Sequence, residues 1–135
     1  VEGWDRHEYF LVFQSGACMK MTRDPEVPGV WRARAKMGND YNEKYRGLCE
    51  FFSIIVDEDP NFAIYPEVSS AKPGEVIAWG PDRDCKGRPF MVKNWTPGAG
   101  FEVVLNLLAE DRRQIVTIQW DTPPRFMNVM ALTNR

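Results

Sequence analysis

Histidine is almost absent from this chain. His7 is the only one, so any acid–base mechanism that uses two imidazoles is excluded. Cys18 is the nearest thiol in sequence, but a Cys–His site also needs an orienting group and an oxyanion hole, and no motif supplies them. Cys18 lies between Ala17 and Met19, an apolar setting typical of a core residue or of half a disulfide. We therefore predict that the protein is not an enzyme.

Cysteine is scarce as well. The three cysteines, Cys18, Cys49 and Cys85, match no zinc-binding spacing and allow three alternative single disulfides, each of which leaves one thiol over. Calcium binding is disfavoured too, because lysines take the places of two oxygen ligands in and after the acidic segment at 82–87. We expect no metal ion and no cofactor, and all three cysteines are disulfide candidates.

Long apolar runs and an excess of one charge are also missing. No stretch approaches the roughly eighteen apolar residues of a membrane-spanning helix. The 17 basic and 19 acidic side chains give a net charge of -2, without the basic surplus of nucleic-acid-binding proteins. The chain opens at Val1 with neither an initiating methionine nor a signal sequence, from which we expect a processed, secreted protein. We predict neither a transmembrane segment nor a nucleic-acid partner.

What the chain does have is short apolar segments. Hydrophobic residues make up 44% of the sequence and aromatic residues 13%, enough for a packed core in one domain over residues 1–135. Apolar segments alternate with turns rich in proline and glycine, and none keeps a helical period. This pattern predicts an all-β, single-domain antiparallel β-sandwich of about nine or ten strands with little helix.

Two segments indicate which way their side chains face. At 30–37 apolar residues alternate with Arg32, Arg34 and Lys36, which predicts a strand with its basic side chains in solvent. Two roles suit those arginines. They form a basic stripe that binds anionic lipid headgroups, or they are the charges that protect an exposed edge strand from aggregation. At 8–14 both faces are apolar, which predicts a strand that is covered on both sides.

Tryptophan occurs at or near the ends of several predicted strands, as Trp4, Trp79, Trp95 and Trp120. Indole rings gathered at one end of a sandwich suit a sugar or a membrane interface, because the ring is apolar over its body and polar at its N–H. Tryptophan rings that are distributed over the molecule would instead be core residues. The sequence leaves both arrangements open. The segment NWTPG also contains an Asn-x-Thr sequon at Asn94.

The segments PGEVIAWG, DRDCKGRP, TPGAGFEVVLNLL and IQWDTPPRFMNV follow one another in the second half of the chain. In this order they resemble the actinoporin-like β-sandwich superfamily, which includes the sea-anemone cytolysins and the fungal aegerolysins. Aegerolysins have an element similar to Trp-Asp-x-Pro at 120–123, with Asn128 downstream, and QSG at 14–16 is similar to the first hairpin of the cytolysins. The chain lacks the amphipathic N-terminal helix of the pore-forming members. The resemblance therefore implies lipid-headgroup binding without pore formation.

We expect a small, secreted, non-enzymatic binding protein that recognises membrane lipid or another surface ligand through loops at one end of the sandwich. Aromatic side chains would supply contact area and Arg125 would pair with an anion. The expected ligand-binding residues are Trp79, Trp95, Trp120, Asp121, Pro123, Arg125 and Phe126.

Three alternatives compete with this hypothesis. A secreted effector-like protein of a plant-associated microbe, which binds a host protein, would have the same size and few cysteines. A carbohydrate-binding module would use the tryptophans as a sugar platform. The segment HEYFLVFQSGAC is also similar to the opening strand of T2-family ribonucleases, but Pro28 stands where those enzymes have a catalytic histidine, so their chemistry is excluded.

Overall fold

The computed structural model describes residues 3–122, which form two antiparallel sheets packed face to face. The all-β sandwich prediction is confirmed. Eleven strands are described where about nine or ten were predicted, because two-residue strands are too short to produce a pattern. The strands are β1 (Tyr9–Phe13), β2 (Cys18–Lys20), β3 (Thr22–Arg23), β4 (Val30–Lys36), β5 (Tyr41–Asn42), β6 (Gly47–Val56), β7 (Asp59–Pro66), β8 (Ala78–Asp82), β9 (Phe90–Asn94), β10 (Gly100–Asn106) and β11 (Val116–Trp120). Two short 3-10 helices are Trp4–Arg6 and Arg112–Gln114.

The larger sheet is organised around β6, which is long enough to pair with four strands. At about 3.3 Å per residue its ten residues extend about 33 Å. Phe52 pairs with Phe13 of β1 on one edge and with Phe90 of β9 on the other. β5 continues the edge of β1, and β7 continues the edge of β9. The sheet is completed by β2 beside β1 and by β8 beside β7.

The smaller sheet has the order β11-β10-β4-β3 and faces the larger one. The chain crosses from β2 to β3 at Met21, whose backbone N–H donates to the carbonyl of Tyr9 in β1. The two sheets are therefore joined at this corner. β4 and β10 pair along their whole length, from Gly100 opposite Lys36 to Asn106 opposite Val30.

The core lies between the inner faces of the two sheets. Burial of each large apolar side chain contributes about 1.5–3 kcal/mol to stability. Trp31 of β4 packs edge-on against Tyr9 of β1, with ring centroids 4.6 Å apart, and against Trp4 at 5.8 Å. These contacts attach the first 3-10 helix to the sandwich. The largest fully buried side chains are Tyr9, Phe52, Phe90, Phe101, Leu11, Ile54, Ile64, Leu105, Val56, Val103, Val116 and Asn94.

The predicted facing of β1 and β4 is confirmed. Inward side chains of β1 join the main core, while Phe10 on its other face is buried with Ile55 and Ala63 in a second cluster outside the sandwich. In β4, Arg32 and Arg34 lie in ion pairs on the outer face of the smaller sheet. The period of two was sufficient to predict both arrangements.

The disulfide prediction requires a correction, because all three cysteines are free thiols. Cys18 is exposed on the edge strand β2, and Cys49 is buried in the first half of β6, where its thiol approaches the carbonyl of Gly47 at 3.7 Å. Cys85 follows β8 and lies against the outer cluster. The three positions belong to different parts of the sheet. Sequence spacing alone carried no information about this separation.

Candidate functional site

The structure places three of the expected ligand-binding residues at one end of the sandwich. We call this the hairpin end; it comprises the β5–β6 hairpin (41–47), the loop at 95–99 and the end of β11. Gly98 donates a hydrogen bond to the carbonyl of Met37, and the N–H of Met37 donates to Ala99. The N–H of Asp121 donates to the carbonyl of Gly100. These bonds hold Trp95, Trp120 and Asp121 within the same group of loops.

Tyr41 and Trp95 form an exposed aromatic pair at the hairpin end. Tyr41 pairs with Leu48 of β6, and Leu48 pairs on its other edge with Asn94 of β9. The next residue, Trp95, thereby comes beside Tyr41, with ring centroids 6.4 Å apart and planes inclined at 46°. Tyr41 is 55% exposed and Trp95 44% exposed. Two large rings in mutual contact thus share one solvent-facing surface.

The turn of the β5–β6 hairpin carries two exposed cations at the same end of the molecule, together with the exposed carboxylate of Glu43. Lys44 and Arg46 are exposed there, and the ammonium of Lys44 lies 5.3 Å from the ring centroid of Tyr45. The turn is fixed by two hydrogen bonds: Tyr45 N–H donates to Asn42 Oδ1 at 3.1 Å, and Lys93 Nζ donates to the carbonyl of Tyr45 at 2.9 Å. Basic and aromatic groups are therefore presented together. We call Tyr41, Lys44, Arg46 and Trp95 the aromatic hairpin surface.

The loop that carries Trp95 is anchored by a buried polar side chain. Asn94 is 2% exposed, and its Oδ1 accepts a hydrogen bond from the N–H of Thr96 at 3.0 Å. The sequon asparagine is consequently part of the core, where the amide fixes the exit of β9. An asparagine in this position orients the loop and presents no free amide at the surface of the folded protein.

Beside Tyr41 a groove of about 320 Å³ runs between the β1–β2 turn and β5. Polar side chains dominate its lining. Glu50 accepts a hydrogen bond from the N–H of Gly38 at 3.1 Å, which holds its carboxylate at the groove wall. The lining residues are Gln14, Ser15, Asp40, Tyr41, Asn42, Cys49, Glu50 and Phe51.

Trp120 and Asp121 are held by internal contacts at the hairpin end. The ring of Trp120 packs against Phe101 with centroids 5.2 Å apart and covers the edge of the core. The carboxylate of Asp121 crosses over Gly100 to pair with Arg34, and this pairing raises the pKa of the Arg34 guanidinium. Trp120 is half-buried and supports the surface, whereas Tyr41, Trp95 and Asp121 are exposed.

Trp79 lies at the opposite end of the β10–β11 pair. The guanidinium of Arg112, from the 3-10 helix before β11, lies 5.4 Å from the centroid of the Trp79 ring, and Arg112 Nε donates to the carbonyl of Ala78 at 2.9 Å. The expected residues are thus divided between two ends of the molecule. Pro123, Arg125 and Phe126 lie outside the described residues.

His7 and Cys18, the two residues that a Cys–His catalytic site would need, are far apart in the structure. Cys18 pairs with Val12, five residues along the chain from His7, which corresponds to about 16 Å in an extended strand. His7 Nδ1 instead lies 2.6 Å from Asp57 Oδ2, and Asp57 also accepts the N–H of Glu8. These contacts hold the pKa of Asp57 below its usual value. His7 joins the start of β1 to the β6–β7 turn.

Two further features are absent from residues 3–122. No group of three or more His, Cys, Asp or Glu side chains is placed there to hold a metal ion. No helix in that range is long and apolar enough to cross a membrane.

Tyr41 is the site residue that sequence reasoning missed. It lies in the polar segment GNDYNEKYRG, whose composition is typical of a loop. The one available signal was two tyrosines and two cations in ten residues.

The resemblance to the actinoporin-like superfamily stays a prediction: no family model matches the chain, and no curated protein or solved structure matches it closely enough to show a relationship.

Proposed function

We propose that this protein is a non-enzymatic binding protein that attaches to the surface of lipid membranes through the aromatic hairpin surface. The observation that carries the proposal is the exposed Tyr41–Trp95 pair, at the end of the molecule where Lys44 and Arg46 are also exposed. Tyrosine and tryptophan favour the interface between water and lipid, since each has an apolar ring and a polar group. Each cation near an anionic membrane adds about 1 kcal/mol of attraction.

Co-sedimentation with vesicles tests this proposal. Vesicles of phosphatidylcholine alone are compared with vesicles that also contain phosphatidylserine, and with a third set that contains sphingomyelin and cholesterol. We expect the strongest binding to the phosphatidylserine vesicles, and we expect added salt to weaken it because screening reduces the attraction of exposed charges. Absence of binding to all three compositions would contradict the proposal.

Trp95→Ala and Trp79→Ala form a matched pair of variants for the same experiment. Both remove an exposed indole, which is 44% exposed at Trp95 and 39% at Trp79, but from opposite ends of the molecule. We expect Trp95→Ala to weaken binding about tenfold, which corresponds to about 1.4 kcal/mol of lost apolar contact. Trp79→Ala should bind like the unchanged protein. An equal loss in both variants would argue against the hairpin end as the attachment site.

A second candidate function is glycan binding in the groove beside Tyr41. Amide and carboxylate side chains next to an aromatic ring suit the hydroxyl groups and apolar faces of a sugar. A glycan array followed by tryptophan fluorescence titration would distinguish this function from membrane binding. We expect Asp40→Ala, which changes the groove, to reduce sugar binding while leaving vesicle binding unaffected.

A further inference from the structure

The strand β11 has a partner strand on one edge only. β10 pairs with it along its whole length, from Trp120 opposite Phe101 to Val116 opposite Leu105. In the order of the smaller sheet β11 is the last strand, so its second edge has no strand beside it among residues 3–122. An edge of this kind presents backbone N–H and C=O groups that a further strand would satisfy.

The direction of one hydrogen bond shows which backbone groups of β11 face this open edge. Asp121 N–H donates to a carbonyl at the start of β10. Because successive residues of an antiparallel strand bond to alternate edges, Gln119 and Thr117 also turn their N–H and C=O groups toward β10. The backbone groups of Ile118 and Trp120 face the open edge instead.

The core is incompletely covered beside β11. The inward side chains of Phe101 and Val103 in β10 are fully buried. Their neighbours across the strand pairing, Trp120 and Ile118, face the same side of the sheet but are only half-buried. Since burial of apolar surface stabilises a fold, these two side chains have stability to gain from a further covering segment.

A groove of about 210 Å³ lies at the open edge, between the two sheets. Ile118 and Trp120 line it from the smaller sheet, and Met91 and Val92 of β9 line it from the larger one. A segment in this groove would therefore contact both sheets. The other lining residues are Lys72, Pro73, Glu75 and Lys93.

The chain itself supplies a segment that suits this edge. β11 ends at Trp120, and the sequence continues with DTPP and then with RFMNVMALTNR, of which the structure describes only Asp121 and Thr122. Two prolines directly after the strand favour a turn. No charged residue occurs at 126–132, where most side chains are large and apolar. The length and composition of this segment match the groove.

We propose that residues 125–129 of this chain's own C-terminal segment add to the open edge of β11 as an antiparallel strand and cover the groove between β11 and β9. With the four residues 121–124 as the turn, Arg125 lies opposite Trp120 and Met127 lies opposite Ile118. The side chain of Met127 then points inward beside Ile118, and its N–H bonds to β11. The added strand also brings Arg125 to the hairpin end. The proposal does not depend on membrane binding.

Amide hydrogen exchange of the full chain, measured by nuclear magnetic resonance, tests the proposal. We expect the amides of Ile118 and Trp120 to exchange as slowly as those of Thr117 and Gln119, because the added strand bonds to the first two and β10 bonds to the others. Fast exchange of Ile118 and Trp120 beside slow exchange of Thr117 and Gln119 would overturn the proposal.

Met127→Pro and Asn128→Pro form a matched pair of full-chain variants. Each places one proline in the segment, but only the N–H of residue 127 faces β11 in the proposed pairing. We expect Met127→Pro to speed exchange of the Ile118 amide by about tenfold or more, and Asn128→Pro to change it much less. The Thr117 amide should stay slow in both variants, which shows that the sandwich is intact. Equal exchange of Ile118 in the two variants would contradict the proposal.

The source of the added strand is tested by nuclear Overhauser contacts. In uniformly labelled protein we expect contacts between the side chains of Ile118 and Met127. In a mixture of labelled and unlabelled chains, isotope filtering selects contacts between different molecules, and we expect none there. Contacts between molecules would indicate a strand exchanged between two copies of the chain, and contacts of Met127 with β9 alone would indicate a different edge. Either result would overturn the proposal.

Discussion

Among single residues, Tyr9 shows how a polar group is accommodated at the edge of the core. Its side chain is 1% exposed, and its hydroxyl donates a hydrogen bond to the carbonyl of Trp4 at 3.1 Å. Burial, with the nearby charges of Asp57 and Asp5, raises the pKa of Tyr9 to about 12. The neutral phenol is therefore the form that the fold stabilises.

This shift predicts sensitivity to alkali. A raised pKa in the folded state means that the contribution of Tyr9 is complete below its ordinary pKa of 10.0 and is lost as the pH rises toward about 12. We expect the free energy of unfolding, measured with denaturant, to fall across this interval. Tyr9→Phe should be about 1 kcal/mol less stable at neutral pH and should lose less stability above pH 10. An identical alkaline decline in both proteins would contradict this account.

Two glycines illustrate how the same substitution has different costs. Gly80 has a φ of +93°, and a Cβ there would collide with the backbone carbonyl of Ala63 in the neighbouring strand. A Cβ at Gly100 would meet the ends of two side chains, the carboxylate of Asp121 and the guanidinium of Arg34, which are exposed and able to move. Rigid backbone resists such a contact, whereas the end of a side chain yields.

We therefore expect Gly80→Ala to lower the free energy of unfolding by about 3 kcal/mol and Gly100→Ala by less than about 1 kcal/mol. Urea denaturation of the two variants measures both values. In the Gly100→Ala protein a further Asp121→Asn change should cost little, because the pair with Arg34 is already broken. Equal losses for the two glycine variants would show that the contact with β7 is not restrictive.

At the scale of elements, the carboxylate of Asp57 joins the N-terminal segment to the β6–β7 turn. It accepts hydrogen bonds from the N–H of Glu8 and from His7, and the first of these is the larger cause of its lowered pKa. A lowered pKa means that this stabilisation is present above the ordinary value of 3.8 and is lost as the pH falls through the lower value of the folded state.

We expect the unchanged protein to lose stability as the pH falls below 4, and Asp57→Asn to lose less over the same range because it no longer contributes a titrating carboxylate. Because Asp57 is exposed, the effect of the variant at neutral pH should be small. Thermal unfolding monitored by circular dichroism between pH 2 and pH 7 provides the measurement. A variant with an unchanged acid profile would show that the contact is not stabilising.

The elements also show what the sequence was able to predict. The alternation at 30–37 identified β4 and its outward arginines, and the apolar residues on both faces at 8–14 identified β1 as a covered strand. Which strands pair with one another was not predictable from the sequence, since β6 pairs with four strands from distant parts of the chain. The contact of Tyr41 with Trp95 depends on that pairing, so no local pattern indicated it.

At the scale of the whole molecule, the distribution of exposed aromatic residues defines the proposed function. The sequence left open whether the tryptophans share one end. The structure places Trp95 and Trp120 at the hairpin end and Trp79 at the other, because Trp120 pairs with the start of β10 while Trp79 lies beside the 3-10 helix that precedes β11. Burial then distinguishes the two rings: Trp120 packs against the core, and Trp95 is exposed.

In the proposed function, the aromatic hairpin surface faces the membrane. The most direct test is nuclear magnetic resonance of the isotope-labelled protein on phosphatidylserine-containing vesicles that carry a nitroxide spin label on the lipid headgroup. We expect the signals of Tyr41, Lys44 and Trp95 to be attenuated most and those of Trp79 and Arg112 to be largely retained. Attenuation that is uniform over the protein, or strongest at Trp79, would contradict the proposed function.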